Sequence, residues 1–236
     1  MNLSDVRAVI FDMDGLLVDS ERLAHTALLE TAPAFGITPD PQTFMRMIGL
    51  PEDGSLELLR TRYGRGFPSE RFVLEAALRH AALVSSGALE LKAGAAELVA
   101  GLERSGVPKA VATSSSRTKA MDTLIKVSML ERFEAIVTRT DVQRGKPHPD
   151  LFLRASSELG IAVNRCIASE DSYNGVRAAH AAGMRVIMVP DMLCSTDEMQ
   201  RLSEGIVADL FAVLDAFIGS GVVARQSRTQ KAMKRV

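Results

Sequence analysis

Asp12 and Asp14 stand one residue apart at the end of the apolar run "AVIF", with Gly15 directly after them. In extended backbone, residues two apart share a face, so two carboxylates so placed repel each other. Comparable polar groups close other apolar runs: Thr113, Ser114 and Ser115 after "KAVA", Glu170 and Asp171 after "RCIAS", and Lys146 in the loop "RGKPHPD". Taken one at a time, these are turn residues and helix caps, as Asp and Ser often are. One site accounts for all of them together. Converging carboxylates call for a cation among them, and an all-oxygen set suits magnesium rather than zinc. A hard cation in turn binds phosphate. Phosphoryl transfer mainly requires positioning and neutralisation of charge on the transferring oxygens, which Lys146 and the hydroxyl cluster at Thr113 can supply. An aspartate held against phosphorus can act as the nucleophile and form an aspartyl-phosphate. A second carboxylate then protonates the leaving oxygen and later activates water. In this assignment Asp12 attacks and Asp14 moves the protons.

A frame that gathers these groups is legible along the chain. Short apolar or β-branched runs at residues 7–12, 109–114, 134–139, 165–170 and 184–190, with a weaker one at 205–209, alternate with helix-like stretches. That alternation predicts a parallel sheet with crossover helices, whose ligands bind beyond the carboxyl ends of the strands. Helices are expected over 116–130, 149–160 and 173–183, the last two ending in glycine as a helix C-terminus does. The stretch from Leu16 to about Ser86 breaks the order. It contains no convincing strand, and "SERLAHTALLETAPAFG", "PQTFMRMIG", "SLELLRTRYG" and "SERFVLEAALRHAALVSSG" carry apolar residues at helical spacing with Gly or Pro at their boundaries. The expected organisation is an α/β core of residues 1–16 and 87–236, Rossmann-like in its parallel sheet, with an inserted all-helical domain over 17–86.

Bulk properties limit the candidates. A chain of 236 residues with 47% apolar and 24% charged residues has the composition of a soluble globular protein with a sizeable core. A net charge of -1 gives no field that would attract nucleic acid or anionic lipid. Cys166 and Cys194 make neither a disulfide framework nor a metal motif. The N-terminus reads as no signal peptide, and no apolar run reaches the length of a membrane span. A cytoplasmic monomer is expected. The C-terminal "ARQSRTQKAMKRV" is basic without acids, and is read as a solvated tail rather than a nucleic-acid arm.

The segments "DMDGLLVDS", "VATSSS", "GKPHPD" and "SEDSYNGVRAAHAAGM" resemble, in order, the four motifs of the haloacid dehalogenase superfamily. The likeness spans nearly the whole chain. The glycine-containing fourth motif and the helical insertion after the first resemble the branch of beta-phosphoglucomutases and small-metabolite phosphatases. The resemblance implies a Rossmann-like core under a mobile helical cap. It makes Asp12 the nucleophile and a magnesium ligand, and Asp14 the acid and base, which also ligates through its backbone carbonyl. Asp171 completes the protein ligands, with Glu170 assisting directly or through water. Thr113 with the backbone N–H of Ser114 is the implied phosphate binder, although counting along "VATSSS" leaves the choice between Thr113 and Ser114 open. Lys146 matches the third-motif lysine. Dehalogenases of the superfamily attack carbon and lack the second aspartate, so Asp14 argues for phosphoryl transfer.

Other features carry less. Asp19 and Ser20 form part of a hinge or substrate rim, or Ser20 caps a helix. His25, His80, His148 and His180 show no ligand spacing and read as surface or partly buried residues, and the methionines as core filler. Asn174 and Gly175 read as turn and capping residues at the start of a helix near the metal. A beta-phosphoglucomutase needs an arginine shortly after the glycine of "MIGLPEDG" to grip a second phosphate. Here Gly49 is followed by Leu50, Pro51, Glu52 and Asp53, and two carboxylates would repel that phosphate. Hydrolysis of a small phosphorylated metabolite, a sugar phosphate or nucleoside monophosphate, is therefore the first reading. A mutase using Arg46, Arg60 or Arg62 is the second, and a non-catalytic phosphometabolite-binding protein the third.

Overall fold

A computed structural model of the chain describes residues 1–47, 50 and 52–224. Gly49 and Pro51 of the mutase comparison and the basic tail from residue 225 onward lie outside the described residues. The strands β1 (Ala8–Phe11), β2 (Lys109–Ala112), β3 (Ala135–Val137), β4 (Cys166–Glu170), β5 (Arg185–Met188) and β6 (Gly205–Ile206) form one sheet in the order β3-β2-β1-β4-β5-β6. Every neighbouring pair is parallel, with Ile10 opposite Ala110 on one side and Ala168 on the other.

Helices cover both faces, so β1 is buried at every residue instead of alternating apolar and polar. Val9 and Phe11 point to a cluster shared with Leu98, Leu102, Leu124 and Phe217. These come from α5 (Ala95–Arg104), α6 (Arg117–Lys126) and α10 (Leu210–Gly219). Ala8 and Ile10 point the other way, to Leu151, Phe152, Val176 and Met199, carried by α7 (Asp150–Leu159), α8 (Tyr173–Ala181) and α9 (Asp197–Leu202). Each fully buried large side chain contributes roughly 1.5–3 kcal/mol relative to exposure, which anchors the central strand from both sides.

Between β1 and α5 the chain forms α1 (Ser20–Thr31), α2 (Pro41–Met45), α3 (Glu52–Tyr63) and α4 (Ser69–Ser85). This helical segment has a core of its own built on Ala32, Phe44, Leu59 and Phe72, in which the rings of Phe35 and Phe72 meet edge-on at 5.3 Å. The outgoing and returning chains run side by side: Asp19 N–H donates to Glu90 O and Lys92 N–H to Leu17 O, both at 2.9 Å. Two adjacent backbone crossings thus connect the helices to the sheet. Among the described residues no helix is long and apolar enough to cross a membrane.

Candidate active site

The ends of β1, β2 and β4 and the loop that follows β3 bring the expected side chains to one edge of the sheet. Asp12 is the first residue after β1, tied down by its N–H to Ser169 O at 3.0 Å, and its side chain is buried. Lys146 reaches in from the loop before α7, and its ammonium contacts Asp12 Oδ1 and, at 2.5 Å, Glu170 Oε1. It lies 5.1 Å above the Phe152 ring, a cation on an aromatic face. Burial opposes the charge on Lys146, but Asp12 and Glu170 more than offset it and raise the ammonium pKa. For Asp12, burial outweighs the attraction of Lys146. Repulsion from Glu170 and Asp14 adds to it, and the carboxyl is raised to about 7.

Glu170 ends β4 with no exposed surface, and its Oε2 accepts from Ser172 N–H at 3.0 Å and Ser172 Oγ at 3.1 Å. Ser172 in turn caps α8, accepting from Gly175 N–H at 3.1 Å. The side chain of Glu170 lies so close to α8 that a Cβ on Gly175 would fall 1.7 Å from Oε1. Gly175 is therefore a packing requirement of the carboxylate and lies within α8, where the cap is Ser172 and not Asn174 or Gly175 as the sequence suggests. Gly15 is constrained twice over, by a φ of 84° and because a Cβ there would lie 2.4 Å from Asp171 Oδ2.

Asp14 sits in a different environment. Ser20 Oγ donates to Oδ1 at 2.7 Å, Ser115 Oγ donates to Oδ2 at 2.6 Å, and Lys119 Nζ stands 3.3 Å from Oδ1. Burial would raise Asp14, yet Lys119 and the two hydroxyls together hold it below the usual carboxylate range. Two aspartates one residue apart are thus driven in opposite directions by their surroundings, the way sites give neighbouring carboxylates different roles. Ser20 corrects one expectation, because it makes no cap bond to α1 and spends its hydroxyl on Asp14. Thr113 is buried, and its Oγ1 accepts from Ser115 N–H at 3.0 Å, while Ser114 is exposed in the cleft.

The grouping of metal ligands is looser than expected. Among the described residues no three His, Cys, Asp or Glu side chains are gathered closely enough to hold a metal ion. Instead the Lys146 ammonium lies between Asp12 and Glu170 and offsets the same negative charge. The donor chemistry nevertheless fits a hard cation. Asp171 Oδ1 is buried with no hydrogen-bond partner, and burial together with Glu170, Asp12 and Glu21 raises its pKa well above the ordinary value.

The sequence singles out neither Glu21 nor Lys119, and it names Ser115 only as one of the hydroxyls after β2 and not as a partner of Asp14. Glu21, in the first turn of α1, faces the cleft. Burial, then Asp191, Asp12, Asp14 and Glu170, raise it to about 8. His25 and His80 also line the cleft. His25 Nε2 is held 3.2 Å from Pro41 O, whereas His80 Nε2 is buried without a partner. The cleft between sheet edge and helices has a volume of about 940 Å³.

A parallel α/β sheet whose carboxyl edge presents a buried aspartate paired to a lysine, beside a second, ionised aspartate, defines an enzyme of the phosphoryl-transfer class. The family model of haloacid dehalogenase-like hydrolases matches residues 9–189, and the chain belongs to that family, in its phosphatase branch. Protein CbbY of Rhodobacter capsulatus is 32% identical over 207 residues, covering 82% of this chain and 89% of that protein. Hexitol phosphatase B of Escherichia coli is 32% identical over 186 residues, covering 78% and 84%. Among solved structures, a hydrolase of the same family from Deinococcus radiodurans, crystallised with phosphate and sodium, superposes with a TM-score of 0.82. It is 28% identical and covers 94% of this chain and all of its own.

Proposed function

We propose that this protein is a magnesium-dependent phosphatase that hydrolyses a small phosphorylated metabolite, a sugar phosphate or nucleoside monophosphate, through an aspartyl-phosphate on Asp12. The observation that carries the reading is the contrast between Asp12, buried and held by Lys146, and Asp14, held ionised by Ser20, Ser115 and Lys119. Asp12 attacks phosphorus, and the bond to the leaving oxygen breaks. Lys146 holds the attacking carboxylate and shares charge with the phosphoryl oxygens, and Thr113 with the Ser114 N–H supplies further donors at the cleft floor. An ionised Asp14 is set to take a proton from the water that cleaves the aspartyl-phosphate. Its acid half comes into play when a substrate phosphate lies beside it, since a nearby like charge raises a carboxyl pKa. Asp12, the Asp14 backbone carbonyl, Asp171 and Glu170 would hold magnesium. Bound there, it supplies charge neutralisation at the phosphoryl oxygens.

Hydrolysis is preferred to a mutase because the arginines available for a second phosphate are engaged or elsewhere. Arg60 is paired with Glu70, Arg62 Nε lies 3.0 Å from Asp40 Oδ2, and Arg46 is not among the residues lining the cleft. A purely binding role is disfavoured by the retention of Asp12, Asp14, Lys146 and Asp171 together. The test is inorganic phosphate release from a panel of sugar phosphates and nucleoside monophosphates. Release is expected with magnesium, is lost on chelation, and is restored poorly by calcium, whose larger and looser coordination misplaces the carboxylate. Release that survives exhaustive chelation would defeat the metal assignment.

A further inference from the structure

The two walls of the cleft differ in chemistry. Its floor carries the carboxylates, hydroxyls and the cations Lys119, Arg139 and Lys146. The opposite wall, built by the helical segment, presents Leu28 from α1, Met47 and Leu50 from the stretch after α2, and Val73, Leu74 and Ala77 from one face of α4. Leu74 is 61% and Leu50 44% exposed, so this wall keeps large aliphatic side chains in water at the mouth of the site. No lysine or arginine of the helical segment lines the cleft among the described residues. The same segment also lines the cleft with Ser20, Glu21, His25, Ser55, Glu70 and His80, of which Ser20 is bonded to Asp14, His25 to Pro41 O and Glu70 to Arg60.

From this we infer that the leaving alcohol of the substrate carries a planar or aliphatic face which packs on the Leu28–Leu50–Leu74 wall, so that nucleoside or aryl monophosphates are preferred to polyol phosphates and bisphosphates. The inference rests on the phosphatase reading above and specifies its substrate. A polyol laid against those three leucines would surrender hydrogen bonds to water without replacement, which costs free energy for every hydroxyl so buried. A planar or aliphatic face instead removes its own apolar surface and that of the leucines from water together. A second phosphate would meet no guanidinium or ammonium on this side. The volume of about 940 Å³ lies near the upper end for small-molecule sites and accommodates a nucleoside.

The test measures kcat/KM by phosphate release, with magnesium, for uridine 5′-monophosphate, adenosine 5′-monophosphate and phenyl phosphate against glucitol 6-phosphate and glucose 6-phosphate. The first group is expected to exceed the second by about tenfold or more. Leu74→Gln should lower the ratio of phenyl phosphate to glucitol 6-phosphate several-fold. Leu78→Gln, one turn further along α4, equally exposed at 61% and outside the cleft, should leave the ratio where it is. Equal or better turnover of the polyol phosphates, or a ratio indifferent to Leu74→Gln, overturns this inference and leaves the phosphatase standing. Release from no member of the panel overturns both.

Discussion

The floor and the wall of the cleft are built by opposite rules. On the floor, charged side chains gather at the ends of a parallel sheet among named partners, Lys146 between Asp12 and Glu170 and Asp14 among Ser20, Ser115 and Lys119. The helical wall sets the aliphatic side chains of Leu28, Met47, Leu50, Val73 and Leu74 beside a few polar ones, and its ion pairs, such as Arg60 with Glu70 and Arg62 with Asp40, involve partly exposed groups that are worth little individually. The proposed chemistry thus lies on the floor, which tolerates little change because removing one partner strands a buried charge. The proposed selectivity lies on the aliphatic part of the wall, at Leu28, Leu50 and Leu74, whereas Ser20 of the same helical segment reaches down to Asp14.

Substitutions on the floor should lower kcat for all substrates alike, and this is how the comparison can be broken. The largest effect belongs to Asp12→Asn, which should reduce kcat by about 10⁴-fold or more while leaving the circular dichroism spectrum unchanged. A variant with wild-type turnover would remove Asp12 from the nucleophile role. Lys146→Met should cost about 10²–10³-fold in kcat. It should also lower unfolding stability by roughly 3–5 kcal/mol in urea titrations, since Asp12 and Glu170 then face each other without a cation. Gly175→Ala should be milder, about 1–3 kcal/mol, because α8 must retreat from Glu170 to admit the methyl group. Its loss of activity should track its loss of stability.

The smallest effect lies where floor and wall meet, at Glu21. Its folded-state pKa of about 8 against an ordinary 4.5 means that the folded chain keeps a proton the unfolded chain has lost between those values. Stability from this group is thus greatest below about 4.5, falls as pH rises through the window, and levels off above about 8. Glu21→Gln cannot ionise and removes that slope. In metal-free buffer it should gain about 1–2 kcal/mol on the wild type between pH 5 and pH 8, allowing for partial solvent screening. Parallel pH profiles of the two proteins would place Glu21 outside the cluster of carboxylates.

The strands were legible because each is a short apolar run punctuated by polar residues, and the four helices of the insertion because their apolar spacing is regular. The weak run at 205–209 yields only the two-residue β6, and α5, α9 and α10 were not anticipated. Asp12, Asp14, Lys146, Glu170 and Asp171 could be found because each closes a strand or sits in a marked loop. Glu21 was not, because an acid in the first turn of a helix is ordinary, and only the fold brings it near Asp191, 170 positions away. Ser115 is one of three consecutive serines, and which hydroxyl meets Asp14 depends on the loop conformation after β2. Lys119 looks like a solvated helix residue until α6 is placed beside β1.

The place of β1 in the sheet also bears on how the chain is made. The strand is made before every other strand of the sheet, yet its partners β2 and β4 begin at Lys109 and Cys166, beyond the whole helical insertion. At typical elongation rates of about 5–20 residues per second, the first partner arrives roughly 5–20 s after β1 itself. The helices, whose contacts are local by comparison, can collapse in far less than that. Through synthesis the nascent chain thus carries a bare apolar segment, "AVIF", ahead of an already compact helical unit, and the sheet edge that carries Asp12 and Glu170 is among the last parts to be assembled.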